Sequence, residues 1–234
     1  MPTTTLHLLC AGAAQGLVTA LQPRLLQELT AQTGGRFGAV GAMKEAFAAG
    51  EPCDLFVSSD AIVSALIAQG LLRADSRAPL GRVRTGVAVR TGTPHPAVST
   101  PEALAAALRA ADVVHYPDPQ RATAGIHFAK VLRELGLDAE LQPRLRTFPN
   151  GATAMRELAA SPVAYPIGCT QVTEILFTPG VDLVGLLPPE FELATLYTAA
   201  VPAHADHPAL ATRFIEMMTA PDTAGLRQRC GFEP

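Results

Sequence analysis

One arrangement recurs along the chain: a short apolar run, a loop of small residues, then apolar residues at helical spacing. Leu6-His7-Leu8-Leu9-Cys10 reads as a buried strand and ends in Ala11-Gly12-Ala13-Ala14-Gln15-Gly16, after which Leu17, Leu21, Leu25 and Leu29 recur every four residues. Gly34-Gly35 marks the end of that helical region, and a second small-residue loop, Gly38-Ala39-Val40-Gly41-Ala42, opens a helix from about Met43 to Ala49. Asp54-Leu55-Phe56-Val57-Ser58-Ser59 is the next strand, with a hydroxyl-rich end. Strands that alternate with helices through short loops predict an α/β fold with a largely parallel sheet, whose ligands lie at the carboxyl ends of the strands.

The middle of the chain keeps the same grammar. Thr85 to Arg90 reads as a strand, and Thr100-Pro101-Glu102 supplies a cap, a first-turn proline and an early acid for a helix. Asp112 to Tyr116 is another strand, broken by Pro117-Asp118-Pro119, and Thr123-Ala124-Gly125 precedes a periodic helix from Ile126 to Leu135 that Gly136 stops. Asn150-Gly151 leads into a helix from Ala152 to Ala160, strands follow at Ala164 to Thr170 and Val181 to Val184, and Leu193 to Val201 is apolar. Two helices close the chain, Pro208 to Thr219 and Asp222 to Arg229.

Composition removes several classes of partner. Lys and Arg number 18 against 21 Asp and Glu, a formal charge of −3 without a basic run, so no nucleic-acid partner is expected. No apolar run reaches the ~18 residues of a membrane span, so no membrane insertion is expected. Cys10, Cys53, Cys169 and Cys230 are scattered, and neither they nor the six histidines sit at metal-ligand spacing, so neither a metal nor a cofactor is expected. Met1 to Thr5 runs straight into the first strand without a cationic, then apolar, leader. As written the chain is expected to be cytoplasmic, and periplasmic if a leader was removed.

Four loops follow strands, open helices, and consist of residues small enough to let a ligand reach backbone N–H groups: Ala13 to Gly16, Gly38 to Ala42, Thr123 to Gly125, and Asn150 to Ala152. Helix N-termini favour anions through unpaired first-turn N–H groups and the helix dipole. The same small residues also permit close packing of helix on sheet. No loop matches G-x-G-x-x-G or the P-loop pattern, and no G-x-S-x-G elbow is present. Lys44 and Arg121 stand near two of these loops as candidate anion clamps, or as ordinary solvated cations. Cys169, at a strand end, and His115 and His127 are either reactive groups or core residues.

Several phrases together resemble the type II periplasmic solute-binding proteins, in particular the molybdate-binding family. They are Ala48-Ala49-Gly50-Glu51-Pro52-Cys53-Asp54-Leu55-Phe56-Val57-Ser58-Ser59-Asp60 with Gln69-Gly70-Leu71-Leu72; Tyr116-Pro117-Asp118-Pro119 through Ala124-Gly125-Ile126 to Leu135-Gly136-Leu137; and Pro221-Asp222-Thr223-Ala224 with Gly231-Phe232-Glu233-Pro234. The resemblance implies a two-lobed α/β fold, each lobe a largely parallel sheet flanked by helices, closing by hinge motion on a ligand in the cleft between them. Lobe 1 is then expected over residues 1–84 and 193–234 and lobe 2 over residues 85–192, with hinges near Arg82 to Gly86 and Glu190 to Thr195.

Carried over from the family, ligand contacts fall on Ala14, Gln15, Ala39, Val40, Gly41, Ala124, Gly125, Asn150, Gly151, Cys169, Thr170 and Gln171, with Lys44, Ser58, Arg121 and Thr123 beside them. The resemblance implies a small anionic ligand and, for an exported protein, an ABC transporter permease as partner. Where molybdate binders place serines this chain has Ala13-Ala14-Gln15 and Gly38-Ala39-Val40-Gly41, and Cys169 stands where they place tyrosine. Each missing hydroxyl leaves an oxyanion oxygen poorly paired, at about 1–3 kcal/mol, which points from molybdate toward an organic carboxylate. The family also includes an aconitate isomerase. The alternative is therefore an isomerase or tautomerase of an unsaturated polycarboxylate, with Cys169, His127, His115 or Glu174 as candidate base.

Overall fold

The computed structural model describes residues 3–234. The chain divides into two compact units, one formed by residues up to Val83 together with Thr195–Pro234, the other by Arg84–Ala194. It passes between them twice, in β4 (Ala78–Arg90) and β9 (Ala194–Ala200).

In the first unit β1 (Thr4–Ala11) leads through a short 3-10 turn into α1 (Gln15–Leu29), followed by β2 (Ala31–Gly38), α2 (Val40–Ala48), β3 (Leu55–Ser59) and α3 (Asp60–Ala68). The strands run in the order β2-β1-β3-β9, the first three parallel and β9 antiparallel to β3. One segment departs from the sequence expectation. Gly34-Gly35 does not end a helix, because α1 stops at Leu29 and the residues from Ala31 to Gly38 pair one for one with Thr4 to Ala11. The glycines are what this strand requires: Gly35 has φ of 114°, and a methyl group there would collide with the backbone of Leu8. One apolar cluster of this unit gathers Leu9, Met43, Phe56, Val63, Leu66 and Leu72, all nearly inaccessible to solvent.

The second unit contains α4 (Pro101–Ala110), β5 (Val113–Pro117), α5 (Thr123–Glu134), the single turn α6 (Asp138–Leu141), β6 (Leu145–Phe148), α7 (Gly151–Ala159), β7 (Pro166–Gln171), α8 (Val172–Phe177) and β8 (Val181–Leu186). Its strands run β4-β7-β5-β6, with β8 on β4; β5, β6 and β7 are parallel, and β4 is antiparallel to β7 and β8. Val87, Leu104, Val114, Phe128, Leu132 and Ile167 belong to its main core cluster. Burying each such side chain contributes about 1.5–3 kcal/mol. The chain closes with α9 (Pro208–Thr219) and α10 (Ala224–Arg229). Among the described residues no helix is long and apolar enough to cross a membrane.

In both units a parallel strand is followed at its carboxyl end by a helix that begins within a few residues. The N-termini of α1, α2 and α3 therefore share the carboxyl edge of β1, β2 and β3. Those of α5, α7 and α8 share the carboxyl edge of β5, β6 and β7. This common polarity brings backbone donors together in each unit.

Candidate functional site

The six N-termini are not equivalent. The starts of α1 and α2 in the first unit, and of α5 in the second, have no side-chain cap and no acidic residue in the first turn. In α2 the first intrahelical bond is donated by Met43 N–H to Ala39 O, so Val40, Gly41 and Ala42 precede it; in α5 Ile126 N–H bonds Ala122 O, and Thr123, Ala124 and Gly125 precede it. These are orphan donors on a positive dipole end, worth about 0.3–1 kcal/mol each to an anion, and more where partly buried.

Of the other three, α3 and α8 carry an acid in the first turn, while α7 has none and is capped by Asn150 and faced by the α8 acid. Asp60 opens α3 and accepts from Thr198 Oγ1 at 2.8 Å and Arg77 Nη2 at 2.6 Å. Glu174, in the first turn of α8, reaches across to α7: its carboxylate accepts from the N–H groups of Gly151, Ala152 and Gln171 and from Thr170 Oγ1 at 2.6 Å. Asn150 Oδ1 accepts from Thr153 N at 2.8 Å and completes the cap. Glu174 is only 6% exposed, and burial pushes its carboxyl above the ordinary range while the four donors oppose that shift. A methyl at Gly151 would collide with Glu174 Oε2 and Thr170 Oγ1, so the contact depends on glycine.

Asn150, Gly151 and Thr170, expected as ligand contacts, thus have partners within the chain. The α7 donors and the Thr170 hydroxyl are committed to Glu174, a partner contributed by tertiary packing. Cys169, also expected at the site, is 1% exposed within the core cluster of Val87 and Ile167, and desolvation raises its thiol pKa. Lys44 lies midway along α2, away from the orphan donors. It lines a cavity of about 510 Å³ with Glu51, Pro52 and Cys53, which precede β3 and so lie near that strand's amino edge. His115 is also a core group, stacked on Phe148 at 5.4 Å, and burial lowers its imidazole from the ordinary value.

Other expected contacts do fall at the uncapped starts. Ala14 and Gln15 lie where α1 begins, Ala39, Val40 and Gly41 where α2 begins, and Thr123, Ala124 and Gly125 where α5 begins. Arg121 is exposed just before α5, its backbone N–H bonded to Asp118 Oδ1 at 3.2 Å. Ser58, near the carboxyl end of β3, is fully buried, and its Oγ has no partner among the described residues. Gln171, at the end of β7, is 3% exposed with neither Oε1 nor Nε2 partnered among the described residues. Sequence reasoning passed over Thr85, whose buried Oγ1 is likewise unpartnered and which pairs in register with Gln171. His127 is half-buried in α5, one turn from its start, with Nε2 on the Phe191 carbonyl at 2.7 Å. Among the described residues no three His, Cys, Asp or Glu groups come together in a way that could hold a metal ion.

Two units of this topology, each presenting helix N-termini at the carboxyl edge of its parallel strands, characterise solute-binding proteins. The chain belongs to the bacterial extracellular solute-binding protein family, whose profile matches residues 6–233. It is 28% identical over 242 residues to an aconitate isomerase from Pseudomonas sp, an alignment that takes in 100% of this chain and 89% of that protein. Among solved structures, the periplasmic molybdate-binding protein of Azotobacter vinelandii superposes with a TM-score of 0.79 at 18% identity, covering 98% of this chain and 99% of that one. The sulfate-binding protein SubI from Mycobacterium tuberculosis H37Rv gives 0.74 at 19% identity, covering 99% and 87%. At these identities the structural likeness establishes the fold.

Proposed function

We propose that the chain binds a small organic anion through uncapped helix N-termini, those of α1 and α2 in the first unit and that of α5 in the second. The observation that carries this reading is the difference among the six helix starts: α3 and α8 have an acid in the first turn and α7 is capped by Asn150 and faced by the α8 acid, whereas α1, α2 and α5 have neither a side-chain cap nor an acid. The relatives support an anion, since two are described as binding molybdate and sulfate and one is an aconitate isomerase. The small side chains at the α1 and α2 starts favour carboxylates over molybdate, because Ala13, Ala14, Ala39 and Val40 provide no hydroxyl to a tetrahedral oxyanion. Delivery to an ABC transporter permease is the partner role that suits an exported copy.

A second reading has its own support in the isomerase relative. Of the groups weighed as bases, His127 is the one neither buried in a core nor committed as a cap. With Nε2–H donated to the Phe191 carbonyl, its Nδ1 keeps a lone pair that can accept a proton. In an isomerase of this kind Nδ1 would take a proton from a carbon next to a carboxylate and return it at the other end of the allylic system, the helix N-termini holding the developing negative charge.

A thermal-shift series at ~1 mM ligand, with molybdate, tungstate, sulfate, phosphate, citrate and both aconitate isomers, tests the first reading. Saturation at 100 times Kd adds about 2.7 kcal/mol, so the carboxylates are expected to raise Tm and the metal oxyanions to leave it unchanged. A rise confined to molybdate and tungstate would overturn the carboxylate assignment. Proton NMR of either aconitate isomer incubated with the protein then separates the readings: interconversion that His127→Gln abolishes marks an isomerase, and an unchanged spectrum a receptor.

A further inference from the structure

Thr85 and Gln171 face each other across the antiparallel pair β4 and β7. Directly opposed residues project to the same face of a sheet with Cβ atoms about 4.5–5.5 Å apart. Both are at least 97% buried, and Thr85 Oγ1, Gln171 Oε1 and Gln171 Nε2 all lack a partner among the described residues. Buried polar groups in native proteins are almost always hydrogen-bonded, and leaving one unpaired costs about as much as a lost bond. The pair is therefore built for an occupant. Neighbouring groups do not satisfy it: the Thr170 hydroxyl is spent on Glu174, and the Thr85 hydroxyl makes no hydrogen bond to the Gln171 side chain.

The chemistry of an amide defines that occupant further. The Gln171 NH2 and a threonine hydroxyl can donate to a carboxylate. The Gln171 carbonyl oxygen can only accept, and rotating the amide exchanges the two ends without removing the acceptor. A fully deprotonated oxyanion offers acceptors alone and would leave this oxygen unpaired beside a negative charge. Building on the anion reading above, we infer that the ligand is a hydroxycarboxylate, with its hydroxyl donating to Gln171 Oε1 while an oxygen of the same ligand accepts from Gln171 Nε2 and Thr85 Oγ1.

Two pairs of ligands that differ by one hydroxyl test this with the intact protein: succinate against malate, and tricarballylate against citrate, by titration calorimetry. The hydroxylated member of each pair is expected to bind about tenfold tighter, the effect of one added bond to a buried polar group. Gln171→Leu is expected to bring the ratio close to one while the non-hydroxylated member still binds. Thr85→Val, which leaves the acceptor in place, is expected to weaken both members and preserve the ratio. Equal affinities within each pair for the wild-type protein would overturn the assignment, as would a preference that survives Gln171→Leu, and in both cases the anion reading would stand. Failure of all four to bind would overturn the carboxylate reading and this assignment with it.

Discussion

Gly125→Ala is expected to destabilise the protein by about 3 kcal/mol, the range of a side chain forced into a filled space. For a chain of this size that lowers Tm by on the order of 10 °C. Gly125 is buried in the first turn of α5, and the carbonyl oxygens of Pro117 and Asp118 lie where its Cβ would be. Both are backbone atoms at the exit of β5, so relief requires the helix to move off the strand. The orphan donors of α5 would move with it, and affinity for carboxylates is expected to fall by at least about tenfold. Gly70→Ala is the useful control: Gly70 has φ of 70° but nothing within 4 Å of its Cβ position, so it reports backbone strain alone, about 1 kcal/mol. Denaturant titration of the two variants checks the contrast. A Gly125→Ala midpoint close to that of Gly70→Ala would contradict a tight fit of α5 on β5.

Glu174→Gln is expected to cost about 2 kcal/mol at neutral pH, because an amide of the same shape replaces one of the two carboxylate oxygens, which four donors face, with a donor. The pH dependence carries more information than the loss itself. Burial holds the Glu174 carboxyl above the ordinary range, so the folded state keeps a proton at pH values where the unfolded chain has released it. Stability from this group is then fully present below the unfolded value near 4.3, and it is lost as pH rises through the folded value. Wild-type stability is expected to decline over that window relative to the glutamine variant, so the two curves approach each other as pH increases. Urea midpoints from pH 4.5 upward measure it. Curves that diverge with pH would mean the four donors outweigh burial. Carboxylate affinity is expected to change less than about threefold, since α7 already holds Glu174 in place of a ligand.

Local chemistry was the most readable part of this sequence. Thr100 caps α4 by accepting from Ala103 N at 3.2 Å, with Pro101 in the first turn, as the Thr-Pro-Glu pattern requires. The helix expected over Pro208 to Thr219 is α9, residue for residue. Legibility failed where tertiary pairing overrides pattern. β2 has neither alternation nor an apolar run, and it is a strand only because β1 lies beside it and its glycines let the backbones approach.

The candidate site divides along the same line. Small-residue loops identified the starts of α1, α2 and α5, because an orphan N–H needs only a helix beginning and no side chain. The engagement of α7 was hidden, since its partner Glu174 lies more than twenty residues further along the chain and arrives through β7 and α8 packing. A thiol at a strand end looks the same in sequence whether it faces a ligand or a core; at Cys169 it faces the core. Gln171 and Thr85 show the converse case. Their significance lies in atoms left unpaired by the surrounding fold.

Titration with citrate followed by amide NMR, on the ¹⁵N-labelled intact protein, tests the central claim most directly. Shifts are expected at the backbone N–H groups of Gly41, Ala42, Ala124 and Gly125 and at the Gln171 side-chain amide, while Gly151 and Ala152 stay fixed on Glu174. Shifts centred on Gly151 and Ala152 with α2 and α5 silent, or a spectrum that citrate leaves unchanged, would contradict anion binding at the uncapped helix N-termini.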